Sequence, residues 1–144
     1  AVICVQSDIM PTSTFDLKVL SCTDASERIS HIKTGMLLKY DVLLRPVKRH
    51  EGRSTLIRDA MSRVEWVGTL AEKHGFEIIT LSEVSRIQKT MFHSGAKSGR
   101  VDGYRYVGSL LVKDADLFKK AYETGIGRDK AYGYGMLMFE FKNA

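Results

Sequence analysis

Val101-Asp102-Gly103-Tyr104-Arg105-Tyr106-Val107-Gly108-Ser109-Leu110-Leu111-Val112 is the stretch on which the fold turns. Tyr104, Tyr106, Leu110 and Val112 fall on one parity, the signature of a long strand with one buried face. Downstream, Asp114 stands as N-cap of a short helix whose apolar side is Leu117, Phe118 and Ala121, and Met136 to Phe141 reads as a final strand. Upstream, Phe76 to Leu81 and Arg86 to Phe92 read as extended, with residues 94–99 (Ser94 to Gly99) as the turn into the long strand. Further back, Leu56, Ile57, Ala60, Met61, Val64, Val67 and Ala71 recur at helical spacing, with Ser54 or Thr55 as N-cap and Gly75 as stop. Gly68 inside that helix costs about 1 kcal/mol relative to alanine, which points to close packing on a sheet. Met36 to Leu44 is a β-prone run closed by Pro46, and a basic loop continues to Ser54. From Gly35 the order is therefore strand, helix, strand, strand, helix, strand. That order predicts an α+β fold of ferredoxin-like (RRM-like) type, an antiparallel sheet with two helices on one face. Ahead of it lie a strand-like segment from Val2 to Gln6, a Pro11 turn, and extended pieces at Phe15 to Leu20 and Ile29 to Lys33.

With 44% hydrophobic and 27% charged residues over 144 positions, the chain has the make-up of an ordered globular protein. No apolar run nears the roughly 18 residues that span a bilayer, and no signal peptide is visible, so a cytoplasmic protein with no membrane partner is expected. Cys4 and Cys22 form no CxxC pair and are expected as buried, reduced thiols. The net charge is +5, and its distribution says more than the total. Residues 45–63 (Arg45, Lys48, Arg49, Arg53, Arg58, Arg63 against Glu51 and Asp59) carry +4. Residues 86–105 (Arg86, Lys89, Lys97, Arg100, Arg105 against Asp102) carry another +4, leaving the rest of the chain at −3. Concentrated positive charge, mostly arginine in the first run, suits a polyanion.

Asp102-Gly103-Tyr104-Arg105-Tyr106-Val107 nearly matches the RNP1 strand on which RNA-recognition motifs stack bases. Asp102 stands where a basic residue belongs and Arg105 where a small one does. The shared parity with Leu110 and Val112 makes core tyrosines the stronger reading. The glycine loop Gly125-Ile126-Gly127-Arg128-Asp129-Lys130-Ala131-Tyr132-Gly133-Tyr134-Gly135 is more specific. Its glycines let the backbone approach a ligand, while Arg128 and Lys130 suit phosphates. It matches neither a Walker A nor a dinucleotide fingerprint, so no cofactor is expected. His31, His50, His74 and His93 have no partners at ligand spacing, so no metal is expected either. His93, beside the turn, is the histidine best placed for acid–base work.

Gly99-Arg100-Val101, Tyr106 to Val112, Gly125-Ile126-Gly127 and Lys130 to Leu137 together resemble the C-terminal half of the CasE family, the repeat-processing endoribonucleases of the type I-E CRISPR Cascade. Val5-Gln6-Ser7 to Met10-Pro11, Tyr40 to Pro46, and Phe92 to Gly99 follow the family's pattern in the same order. Tyr134 departs from it, since a small residue or cysteine is usual there. The resemblance implies two tandem ferredoxin-like domains, with residues 1–34 as the remnant of the first and residues 35–144 as the second. It implies binding of the CRISPR repeat RNA hairpin, other Cascade subunits as partners, and metal-independent cleavage at the hairpin base. In that chemistry the 2′-OH attacks the adjacent phosphate to give a cyclic phosphate. The family's catalytic histidine and tyrosine lie on the first helix of the first domain, which this sequence lacks, so the chain alone is expected to be inactive. Lys97 remains as the candidate for stabilising charge at the cleaved phosphate. The RNA-binding candidates are Arg45, Lys48, Arg49, Arg53, Arg58, Arg63, Lys97, Ser98, Arg100, Gly125, Gly127, Arg128, Lys130, Gly133 and Gly135. Two other classes stay open: a non-catalytic RNA-binding scaffold of a ribonucleoprotein, and a small ferredoxin-like enzyme with the glycine loop as its phosphate site.

Overall fold

The computed structural model describes residues 4–7, 9, 18–92 and 98–142, with the backbone alone at 91, 92 and 98. The chain divides into two compact units, Ala1–His31 and Ile32–Ala144. In the first, helix α1 (Ala25–Ser30) forms where Ile29 to Lys33 was expected to be extended. The reason is local: the Asp24 side chain accepts from the amides of Ser26 and Glu27, which nucleates a helical turn. Residues 4–7 belong to no strand, against the expectation for Val2 to Gln6. Cys4 and Cys22 are free as expected, but exposed instead of buried, because both sit in irregular backbone. The Pro11 turn and Phe15 lie outside the described residues.

The second unit is built on strands β1 (Leu37–Leu44), β4 (Phe76–Phe92), β5 (Ser98–Val112) and β6 (Leu137–Phe141), and on helices α2 (Ala60–Lys73) and α3 (Ala115–Thr124). The four strands form one sheet in the order β4-β5-β1-β6, antiparallel throughout. With the two crossover helices this is the expected ferredoxin-like arrangement. Leu38, Tyr40, Val42 and Leu44 of β1 alternate inward and meet Tyr104, Tyr106, Leu110 and Val112 of β5, all nine-tenths or more buried. Val67 and Ala71 of α2 and Phe118 and Ala121 of α3 are buried with them. Edge-on aromatic contacts tie α3 to the sheet, from Phe76 to Phe118 (5.6 Å between centroids) and from Phe118 to Phe139 (5.7 Å). Leu117, expected on the apolar side of α3, is 44% exposed, since only one narrow stripe of so short a helix reaches the sheet.

Three departures bear on the site. The basic loop before Ser54 is a hairpin, β2 (Val47–His50) paired with β3 (Arg53–Leu56). Its two-residue turn is Glu51-Gly52, both at positive φ (48° and 77°), the geometry that matches strand twist. Helix α2 consequently starts at Ala60, not Thr55, and Asp59 caps it by accepting from the Ser62 amide at 2.7 Å. The extended runs over residues 76–81 and 86–92 are a single strand, interrupted by register shifts between Ile78 and Thr80 and between Glu83 and Ser85. Gly108 faces the first of these, where a Cβ would lie 1.9 Å from the Thr80 carbonyl oxygen. Gly68, by contrast, has nothing within 4 Å of a Cβ, so close packing is not why it is a glycine.

Candidate nucleic-acid interface

Before Tyr104, β5 pairs with β4 alone and has no partner in β1, so residues 87–92 and 98–103 form a two-stranded arm. The β2–β3 hairpin, this arm and the glycine loop are tied together by specific side-chain bonds. Arg128 in the loop donates to the Ser54 hydroxyl of β3 at 3.3 Å. Arg45, at the end of β1, pairs with Asp129 of the loop at 2.7 Å. Lys89 on the arm donates to the Tyr132 carbonyl oxygen at 2.7 Å, with its ammonium 4.4 Å from the centre of the Tyr134 ring. Burial holds the Lys89 ammonium below the usual lysine range.

Inside the loop the amides of Ile126, Tyr132, Gly133 and Gly135 are bound to backbone acceptors. Ile126 donates to the Gly135 carbonyl oxygen (2.9 Å), Gly133 to Lys130 (3.0 Å) and Gly135 to Leu43 on β1 (2.7 Å). Gly135 at φ +84° cannot be replaced cheaply, because a Cβ would sit 2.1 Å from the Ile126 oxygen. Tyr134, the departure from the family pattern, is 1% exposed and donates to the Val101 carbonyl oxygen at 3.0 Å. Its ring lies against Gly103, where a Cβ would approach to 2.4 Å. The loop is thus a packed joint whose outer side presents Arg128, Lys130 and Tyr132. Gly125 and Gly127 serve its chain path, at φ 75° and 76°, and Gly133 turns it at φ 79°.

Lys48, Arg49 and Arg53 of the hairpin are exposed, as are Arg58 in the following loop, Arg100 on the arm, and Arg128 and Lys130. Arg45 is largely enclosed, and its Nε is buried without a hydrogen-bond partner among the described residues. Arg63 departs from expectation. It is 6% exposed, its guanidinium lies 4.1 Å from the centre of the Tyr104 ring, and it is paired with Glu83 at 2.6 Å. It also donates to the carbonyl oxygens of Ile57 and Arg58. An arginine consumed in this way braces the loop that carries Arg58 and cannot reach a phosphate itself. Tyr104 and Tyr106 belong to the same buried cluster and leave no stacking platform on that strand.

Ser98 begins β5, with only its backbone described, while His93, Lys97 and the turn between them lie outside the described residues. Sequence reasoning missed Lys89, Ser54 and Asp129, the partners that join the three segments. Among the described residues no three His, Cys, Asp or Glu side chains cluster so as to hold a metal ion, and no helix is long and apolar enough to cross a membrane.

The fold has close counterparts among solved structures. A CRISPR endoribonuclease Cse3 bound to a 19-nucleotide RNA superposes with a TM-score of 0.69 at 22% identity, covering 76% of this chain and 57% of that one. The CRISPR-associated protein Cas6e from Escherichia coli K-12 gives 0.71 at 19% identity, over 95% of this chain and 75% of that one. A chain of a CRISPR RNA-guided surveillance complex gives 0.58 at 24% identity, over 78% and 62%. This chain spans a little over half the length of the Cse3 chains it matches. No curated protein sequence matches it. The sequence profile of the CRISPR associated protein family covers residues 1–140, and the chain belongs to that family.

Proposed function

We propose that this chain is the RNA-holding part of a CRISPR repeat endoribonuclease, binding the repeat hairpin and remaining on the processed guide as a Cascade subunit in the cytoplasm. The observation that carries the proposal is the joint at the glycine loop. Through the Arg128–Ser54 and Lys89–Tyr132 bonds it gathers the exposed cations of three segments distant in sequence. Lys48, Arg49, Arg53, Arg58, Arg100, Arg128 and Lys130 would neutralise backbone phosphates. Arg45 and glycines 125, 127, 133 and 135 would act by shaping that surface. The matched proteins include a Cse3 bound to RNA and a chain of an RNA-guided complex, which supports the reading.

The chemistry proposed is metal-independent attack of a 2′-OH on the adjacent phosphate, with no cofactor. Lys97 would stabilise charge at the cleaved phosphate and His93 is the remaining proton-transfer candidate. Residues 35–144 would form the ferredoxin-like domain that holds the RNA, with residues 1–34 as a separate unit ahead of it. The test is binding to a labelled repeat hairpin over a salt series, with EDTA present. Affinity that falls steeply with salt and exceeds that for an unrelated duplex is expected. Equal affinity for both RNAs at physiological salt would overturn the proposal, and EDTA-resistant cleavage that survives His93→Ala would remove His93 from the chemistry.

A further inference from the structure

We infer that Arg86 and Arg100 form a clamp for one RNA phosphodiester, and that Asp102 between them is the positioning residue that sets it. The inference rests on the RNA-binding reading above and adds to it Arg86 and a role for an acidic residue.

The clamp lies at the base of the two-stranded arm, with Arg86 just below it and Arg100 and Asp102 on it. Asp102 accepts from Arg86 Nη2 at 2.7 Å through Oδ2 and from Arg100 Nε at 2.9 Å through Oδ1. Arg100 and Asp102 are two apart on β5 and so share a face, while Arg86 reaches across from β4. Val101, between them on the strand, belongs to the opposite face, where Tyr134 and Lys89 anchor the glycine loop. The arm is therefore immobilised from one side and presents the three charges on the other.

Exposure separates the roles. The Asp102 side chain is 16% exposed, whereas Arg86 and Arg100 are 52% and 55% exposed. Exposed ion pairs add little stability, typically below about 1 kcal/mol, so two of them on one carboxylate are a weak device for holding the arm together. They are a strong device for orientation. Each arginine spends one nitrogen on Asp102, and among the described residues the rest of each guanidinium takes no further hydrogen bond. Two planar forks with outward N–H groups, fixed on one face and carrying a net +1 with their carboxylate, match the oxygens of a phosphodiester. Burial pushes the Asp102 carboxyl up, but the hydrogen bonds from Arg86 and Arg100 outweigh it and keep the group ionised.

The sign of one substitution separates positioning from bulk charge. Asp102→Asn removes a negative charge from an RNA-facing surface, so electrostatics alone demands tighter binding. Positioning demands the reverse, because an amide holds two guanidiniums poorly and both side chains regain rotamer freedom. For the whole chain with a labelled RNA stem-loop, Asp102→Asn should bind about 3- to 10-fold more weakly with a shallower salt slope, and Asp102→Glu should recover part of the loss. Arg86→Gln and Arg100→Gln should each reduce the slope of log K against log salt by about 1. Binding by Asp102→Asn that is unchanged or tighter overturns the inference. If that variant does not fold, the arginine variants decide it, and an unchanged slope in both overturns it. A wild-type chain without salt-dependent binding would sink the RNA reading and the clamp together. A wild-type chain that binds beside indifferent variants sinks the clamp alone.

Discussion

Arg63 and Glu83 are locked side by side, Nε to Oε2 at 2.8 Å and Nη2 to Oε1 at 2.6 Å. The pair joins the first turn of α2 to β4 just where that strand shifts register. Tyr106 donates to Oε2 of the same carboxylate at 3.0 Å, so that oxygen accepts two hydrogen bonds. A cation in a run that looked made for phosphates is in fact part of the core, and it fixes the loop that displays Arg58.

Arg63→Met should therefore lower stability by about 2 kcal/mol, below the range for a fully buried pair because Glu83 is 25% exposed. Urea unfolding measures this, and a loss under about 0.5 kcal/mol would mean the pair is only decorative.

The pH dependence follows from the same carboxylate. The hydrogen bond from Arg63, helped by that from Tyr106 against the opposing effect of burial, holds Glu83 below the usual carboxylate range. The folded pKa is depressed, so its stabilisation is complete above the unfolded value of about 4.3 and is lost as pH falls through the folded pKa. Wild-type stability should fall on acidification below about pH 4.3, and Glu83→Gln should flatten that part of the curve.

Two glycines should respond in opposite directions. Gly68→Ala meets open space on α2 and should raise stability by about 0.5 to 1 kcal/mol. Gly135→Ala has a forbidding φ of +84° and a backbone oxygen 2.1 Å from the new Cβ, and should cost about 2 kcal/mol or more while weakening RNA binding. Thermal unfolding of both variants checks the pair.

Tyr134→Phe keeps the ring against Gly103 and under Lys89 but loses the bond to the Val101 carbonyl oxygen. A loss of about 1 kcal/mol is expected by chemical denaturation. A neutral result would place the contribution of Tyr134 in its ring alone.

Gln substitution of Lys48, Arg49 and Arg53 on the β2–β3 hairpin should leave stability within about 0.5 kcal/mol. Each should lower the salt slope of RNA binding by about 0.9 if it meets a duplex phosphate. Filter binding across a salt series reads the slope, and three unchanged slopes would remove the hairpin from the interface.

The sequence by itself determined the element order, because strand parity at Tyr104, Tyr106, Leu110 and Val112 and helical spacing at Ala60, Val67 and Ala71 are local records of which side is buried. It also carried the family, through the glycine loop and the segments around it. The β2–β3 hairpin escaped because Leu56 and Ile57 fall at helical spacing with Ala60, Met61 and Val64, and only the pairing of Val47 with Leu56 across the hairpin makes residues 53–56 a strand. The roles of the charges were not legible at all. Arg63 and Arg58 look alike in the chain, yet one is enclosed by Glu83 and Tyr104 and the other faces water. Charge is a property of the residue, but whether it is spent inside or offered outside depends on partners 20 or more positions away, and only the tertiary structure brings those together.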